Sequence, residues 1–129
     1  RHTIESEFDI QGIDMLPRVD IIYGYVGDDA ILLEAAIRAG ARGIVVAAPG
    51  HGMPSDILKA VLIEASKQGV VVVKASRSGN GLVTPVLDDQ RHYFVASGSL
   101  NPQKARILLA LALKKTNDPV EIQRMFDVY

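Results

Sequence analysis

Residues whose types could do chemistry gather in three short segments, each of which follows an apolar run. These segments carry Asp28 and Asp29, then Gly50-His51-Gly52, and then Arg77, Asn80 and Asp88. Carboxylates can hold Mg²⁺, and a glycine-rich turn before a helix can present free backbone amides to an anion. The three segments therefore predict ligand binding.

The acidic pair has two interpretations. Asp28 and Asp29 could bind Mg²⁺, as carboxylates after a first strand do in phosphoacceptor receiver domains. They could also cap the following helix, which is the more frequent role of Asp at such a position. A receiver needs an Asp at the end of its third strand, whereas residues 70–73 are followed by Lys74-Ala75-Ser76. The sequence therefore favours capping.

The second and third segments also leave alternatives open. A nucleotide-binding fingerprint would need a third glycine where Ser55 stands, and no Walker Lys-Ser/Thr pair follows. His51 could act as an acid or base near neutral pH, although a lone loop histidine is more often solvated. Arg77, Asn80 and Asp88 could bind an amino or carboxylate group, or lie on an ordinary surface loop.

No set of nucleophile, base and orienting group is visible in the sequence. Ser55 and Ser76 have no base near them, and the three His residues lack metal-ligand spacing. Cys is absent, which excludes a thiolate nucleophile and a thiolate metal site. We therefore expect no metal and no cofactor. On its residues alone, the chain is interpreted as a binding or assembly domain.

Composition excludes other function classes. The 14 basic and 15 acidic residues give a net charge of -1 without a long run of one sign. This argues against nucleic acid and an electrostatic membrane anchor as partners. No apolar stretch reaches the roughly 20 residues of a membrane span. With 48% hydrophobic but only 5% aromatic residues, the 129-residue chain should build one compact, aliphatic core.

Apolar runs and helical periodicity predict the elements that position the three segments. Strands are predicted at residues 19–23, 43–47, 70–73 and 93–96, with a loop at 76–89. Helices are predicted from the acidic pair to Gly40, from Ser55 to about residue 67, from Asn101-Pro102 to about 115, and from Asp118-Pro119 onward. This alternation predicts an α/β fold, a three-layer αβα sandwich with a small, mostly parallel four-stranded sheet. Ligands would gather at the carboxyl ends of its strands.

The end of the chain resembles a known family. Residues 99–109, which read Ser-Leu-Asn-Pro-Gln-Lys-Ala-Arg-Ile-Leu-Leu, are similar to the signature that ends bacterial type II L-asparaginases. Thr116-Asn117-Asp118-Pro119 and the terminal Tyr129 continue the likeness, and Leu16-Pro17-Arg18 resembles the family's entry to its carboxy-terminal domain. The resemblance implies that residues 1–18 lead in from a missing amino-terminal domain and that 19–129 form the carboxy-terminal domain.

The resemblance also implies a function. Members hydrolyse L-asparagine to L-aspartate and ammonia with Thr, Lys and Asp residues of the amino-terminal domain. They assemble as tetramers of intimate dimers, and the carboxy-terminal domain helps to bind the amino end of the substrate in a neighbouring subunit's site. This chain would therefore carry no catalytic residue and be inactive alone. Its partners would be its own amino-terminal domain, a homo-oligomer and an amino-acid substrate. Type II enzymes are typically periplasmic; the cytoplasm is the alternative.

Two substrate-binding positions of the family map onto this sequence. The first follows a Gly-x-Gly turn, here Gly50-His51-Gly52, but Met53 stands where the family has Asn or Ser. A thioether accepts hydrogen bonds only weakly. The second is a Glu in the third loop, where Asp88 is the nearest acidic residue. We therefore expect altered affinity or substrate preference, or a homologue that has lost the activity.

Two further interpretations stay open. A stand-alone small-molecule-binding or receiver-like regulatory module without catalysis would bind Mg²⁺ through Asp28 and Asp29. A pure assembly element would use the Leu-rich helix at residues 101–115 as an interface.

Overall fold

The computed structural model describes residues 16–25, 27–49, 54–77, 82–84 and 87–129. In these ranges the chain alternates between strands and helices before it ends in two helices. The strands are β1 (Val19–Tyr23), β2 (Gly43–Ala48), β3 (Val71–Ser76) and β4 (Val95–Ala96). The helices are α1 (Ile31–Arg38), α2 (Asp56–Lys67), α3 (Leu87–Arg91), α4 (Pro102–Leu113) and α5 (Pro119–Val128).

The four strands form one parallel sheet in the order β1-β2-β3-β4. Tyr23 pairs with Ala47, and Ala48 pairs with Ser76, so the first three strands end at nearly the same level. Because all strands point the same way, their carboxyl ends meet at one edge, which we call the carboxyl edge. The predicted αβα sandwich around a small parallel sheet is confirmed.

Two apolar cores lie on the two faces of the sheet. Along β2, Val45 belongs to one core, while its neighbours Ile44 and Val46 belong to the other, as the alternation of a strand requires. Helices α4 and α5 pack on the first core, and α1 and α2 on the second. All six residues of β2 are buried, which explains its continuous apolar run.

The helix signals read from the sequence are largely confirmed. Ser55 and Asn101 accept hydrogen bonds from backbone N–H groups in the first turns of α2 and α4, and Asp118 does the same for α5. After α1, Gly40 has a φ of +92° and donates its N–H to the Ile37 carbonyl at 3.0 Å. This left-handed residue ends the helix and turns the chain toward β2.

Three predicted boundaries are wrong. Strand β3 continues to Ser76, because Lys74 can be buried when it pairs with Asp89, which lies 15 residues later in the chain. The fourth strand is only Val95–Ala96, since Tyr93 has a φ of +61° that no strand residue adopts. The predicted loop at residues 76–89 includes the first residues of the short helix α3.

The outer edge of the sheet is covered by a side chain. Gln123 of α5 accepts a hydrogen bond from the Ala96 N–H at 2.8 Å and donates one to the Ala96 carbonyl at 3.2 Å. The amide therefore occupies the backbone groups that another strand would use. None of the helices in the described ranges has the length and apolar character that crossing a bilayer requires.

Replacing Gly43 tests the close packing of α4 on the sheet. A Cβ at Gly43 would lie 2.7 Å from Leu109 Cδ2 and 3.0 Å from Leu113 Cδ1. We expect Gly43→Ala to lower the free energy of unfolding by about 1–3 kcal/mol, because the helix must move outward. Urea unfolding measures the change. Leu109→Val in the same chain should recover part of the loss, and a double variant whose two losses simply add would contradict this explanation.

Candidate functional site

The carboxyl edge brings the ends of β1, β2 and β3 together. Gly24 follows β1 and donates its N–H to the Ala47 carbonyl at 2.8 Å. Arg77 follows β3 and donates its N–H to the Ala48 carbonyl at 2.9 Å. The end of β2 is therefore fixed by hydrogen bonds from both neighbours.

The Arg77 side chain adds a longer connection across this edge. Its Nη1 donates to the Gly24 carbonyl at 2.9 Å, although Gly24 lies two strands away. The sequence singled out Arg77 as a ligand-binding group and gave no sign of this backbone contact. The reason is that the two residues lie 53 positions apart, so only the fold brings them together.

The acidic pair of the first loop is engaged by the backbone. Asp29 Oδ1 accepts from the Ile31 N–H at 3.1 Å, so it satisfies a free amide in the first turn of α1. Asp28 Oδ2 accepts from the Tyr25 N–H at 3.1 Å and closes the turn after β1. Asp29 therefore accepts a hydrogen bond from the first turn of α1, as a capping residue does. The residue at the N-cap position itself is Ala30.

A buried ion pair that the sequence did not reveal connects β3 to α3. Lys74 Nζ lies 3.0 and 2.8 Å from the two carboxylate oxygens of Asp89. The two residues are 5% and 6% exposed. Charges so far from water persist only when they are paired and hydrogen-bonded. The Asp89 carbonyl also accepts from the Phe94 N–H at 2.9 Å, so this residue connects α3 to the chain entering β4.

Asp88 occupies a different environment from its neighbour. It forms an exposed ion pair with Lys59 of α2, and His92 Nε2 lies 3.9 Å from its other oxygen. The hydrogen bond from Lys59 holds the pKa of Asp88 below its ordinary value. A ligand amino group that bound Asp88 would therefore compete with Lys59. Its predicted substrate contact stays a prediction.

The remaining predicted residues are not described. Gly50, His51, Gly52, Met53 and Asn80 lie outside the described ranges. Among the described residues, His, Asp and Glu side chains form no group of three that could hold a metal ion. A groove of about 420 Å³ lies between α5 and the chain that connects α3 to β4, and none of the predicted site residues line it.

Comparison with known proteins identifies the family. The family model described as the Glutaminase/Asparaginase C-terminal domain matches residues 18–126. The chain belongs to this family. This glutaminase/asparaginase C-terminal domain is 51% identical to L-asparaginase 2 of Bacillus subtilis over 129 residues, which cover 100% of this chain and 34% of that protein. It is 42% identical to L-asparaginase 2 of Escherichia coli, where the match covers 100% of this chain and 38% of that protein.

A solved structure agrees with these matches. The crystal structure of a probable cytoplasmic L-asparaginase from Campylobacter jejuni superposes with a TM-score of 0.94 at 42% identity, covering 100% of this chain and 42% of that chain. The chain thus spans well under half of the length of the relatives it matches. A relative from Haemophilus influenzae, 45% identical over 98% of this chain and 37% of that protein, is named a probable periplasmic L-asparaginase. The family therefore includes proteins named for both compartments.

Removing one partner of the buried ion pair should be costly. Lys74→Met leaves the Asp89 carboxylate buried without a cation, and we expect a loss of about 3–5 kcal/mol in the free energy of unfolding. Lys59→Met breaks the exposed pair with Asp88 and should lower the free energy of unfolding far less. Urea unfolding of both variants is the measurement. Equal losses in the two variants would contradict the expectation that losing the cation of the buried pair costs more stability than losing that of the exposed pair.

The pKa of Asp88 predicts how the exposed pair depends on pH. Because the folded-state pKa lies below the ordinary 3.8, the pair contributes stability above that pH and loses it as the pH falls through the folded pKa. Asp88→Asn should therefore lower Tm near neutral pH and leave it unchanged in strong acid. A Tm difference that persists in strong acid would show that the charge is not its source.

Proposed function

We propose that this chain is the carboxy-terminal domain of an L-asparaginase that hydrolyses L-asparagine to L-aspartate and ammonia. In this proposal, residues 1–18 lead in from an amino-terminal domain that carries the Thr, Lys and Asp residues of catalysis. The supporting observation is the 51% identity to an L-asparaginase along the whole chain, combined with coverage of only 34% of that protein.

Ser55 and Ser76, the two serines considered from the sequence, support a catalytic centre elsewhere. Ser55 Oγ accepts a hydrogen bond from the Leu58 N–H and so serves as the N-cap of α2. Ser76 ends β3, is 3% exposed and is already engaged by a neighbouring group. A nucleophile needs an exposed oxygen beside a base that is itself held by a third group. Neither serine is presented in that way.

The contribution of this domain to the reaction is substrate binding. In the sequence, Gly50-His51-Gly52-Met53 come two residues after Ala48, the last residue of β2, and β2 ends at the edge where parallel sheets bind ligands. We place this turn and Asp88 beside the amino end of the substrate, in a site completed by a neighbouring subunit of a homo-oligomer built from intimate dimers. The parent protein is proposed to be exported to the periplasm, which fractionation of cells expressing it would test.

The described part of the chain does not favour the receiver-like alternative. The carboxylates of Asp28 and Asp29 accept hydrogen bonds from backbone amides, as a capped turn requires. The third strand carries a lysine that is paired with Asp89.

Ammonia release tests the proposed reaction. We expect the full-length protein to release ammonia from L-asparagine, and the 129-residue chain alone to release none, because the nucleophile lies outside it. L-glutamine serves as the second substrate in the same assay. Turnover by the chain alone would contradict the proposal that the nucleophile lies in the amino-terminal domain. A full-length protein inactive on both substrates would contradict the proposed function.

Changing Met53 tests the mapped binding position. In the full-length protein, Met53→Asn should raise kcat/KM for L-asparagine by about tenfold, since an amide can form the hydrogen bond that a thioether makes poorly. Leu82→Asn adds the same amide at an exposed loop residue and should have no effect. Equal responses of the two variants would refute the mapping.

A further inference from the structure

Two grooves flank Tyr93 at the amino ends of β3 and β4. The larger groove, of about 420 Å³, is lined by Tyr93, Phe94 and Val120 with their neighbours. The smaller one, of about 200 Å³, is lined by Tyr93, Val70 and Pro119 with theirs. Because Val70 directly precedes β3 and Phe94 directly precedes β4, both grooves lie at the end of the sheet opposite the carboxyl edge. We call this end the amino edge.

The backbone of Tyr93 adopts a conformation that favours glycine. Its φ of +61° is the one positive value at a non-glycine residue in the described ranges. Tyr93 donates its N–H to the Gln90 carbonyl at 3.1 Å, and Phe94 donates its N–H to the Asp89 carbonyl at 2.9 Å. Helices that end with this pair of hydrogen bonds usually carry glycine at the left-handed position. The turn after α3 therefore gives no reason for a tyrosine.

The core gives no reason for the tyrosine either. Tyr93 is 60% exposed, and Val120, which lines the larger groove with it, is 67% exposed. Tyrosine is frequent at interfaces, because its ring buries a large apolar area while its hydroxyl forms a hydrogen bond. An exposed ring and an exposed valine beside two grooves therefore form a surface that suits a protein partner.

The place where the chain enters the fold indicates which partner. Arg18, directly before β1, accepts the Arg42 N–H through its carbonyl at 2.9 Å, and the Arg42 carbonyl accepts the Val71 N–H at 3.1 Å. Val71 lines the smaller groove. Neighbouring strands lie about 4.8 Å apart, so the groove lies about 10 Å across the sheet from the entry of the chain. A domain joined ahead of β1 can reach this surface.

We propose that Tyr93 and Val120 anchor the amino-terminal domain of the same polypeptide on the amino edge. The chain covers only 34% of its Bacillus subtilis relative, so most of the length of such a protein lies outside it. The entry of the chain at Arg18 tethers that domain beside the grooves, whereas a second copy has no such tether. Docking at the amino edge also leaves the carboxyl edge uncovered. This inference rests on the amino-terminal domain of the function proposed above.

Photo-crosslinking in the full-length protein tests this partner. Tyr93, Val120 or Leu32 is replaced, one at a time, by p-benzoylphenylalanine, and the purified protein is irradiated. Leu32 is the matched control, because it is the second residue of α1 as Val120 is of α5, and it is 69% exposed. It differs in belonging to a helix that packs on the other face of the sheet.

The position of the crosslink decides between partners. We expect the Tyr93 and Val120 variants to crosslink to the amino-terminal domain within one polypeptide. The product should keep the mass of one chain on a denaturing gel, and mass spectrometry of its peptides should locate the bond. The Leu32 variant should form no such crosslink. A product of doubled mass from Tyr93 and Val120 would show that a second copy covers the amino edge and would overturn the inference.

The remaining outcomes separate this inference from the proposed function. Crosslinks to the amino-terminal domain from all three positions alike, or from neither Tyr93 nor Val120, would overturn the docking surface. An active protein with that result would leave the asparaginase proposal standing. The expected crosslinks in a protein inactive on L-asparagine and L-glutamine would overturn the proposed function and support the docking surface.

Replacing Tyr93 by glycine gives a second measurement in which the sign decides. Glycine removes the cost of the positive φ, so Tyr93→Gly should raise Tm of the full-length protein if the ring only faces solvent. If the ring anchors the amino-terminal domain, as we expect, Tyr93→Gly should lower Tm. Tyr93→Phe, which keeps the ring, should stay close to the parent. A raised Tm in Tyr93→Gly would count against the anchor.

Discussion

Parallel hydrogen bonding on both sides of β2 is the constraint on which the rest of the structure depends. This strand pairs with β1 and β3 along its length, and every one of its residues is buried. Parallel strands can be joined only by crossovers, which place α1 and α2 on one face, and α4 and α5, which follow the last strand, cover the other face. The same pairing places the three strand ends, and the loops that follow them, at one edge.

The two ends of the sheet are held by different contacts. At the amino end of β2, Gly43 lets α4 contact the backbone, and Arg106 holds the start of β1, so this end serves stability. At the carboxyl edge, Arg77 and Gly24 fix the strand ends, while the residues that follow are rich in glycine. In general, glycine allows backbone amides to approach a ligand closely.

The sequence predicted the layers, the strand order along the chain and most helix starts, because these follow from local signals. Asn101-Pro102 begins α4 whatever the helix packs against, and Gly40 ends α1 because it adopts a positive φ. It could not predict the Lys74–Asp89 pair or the Arg77–Gly24 contact, since the partners meet only after the sheet forms. The predicted end of β3 was wrong for the same reason. A lysine after four valines indicates that a strand ends there, unless a carboxylate from elsewhere in the fold pairs with the lysine.

The central claim is that this domain binds substrate in a site whose nucleophile belongs to a neighbouring subunit. Two inactive full-length variants test it most directly: one with the amino-terminal Thr nucleophile replaced by Ala, the other with Gly50-His51-Gly52-Met53 replaced by alanines. They carry different tags, are co-expressed, and the mixed oligomer is purified through both tags before ammonia release from L-asparagine is measured. We expect the mixed oligomer to regain activity, since some of its sites would combine an intact nucleophile with an intact segment 50–53. A mixed oligomer as inactive as its parents would contradict it.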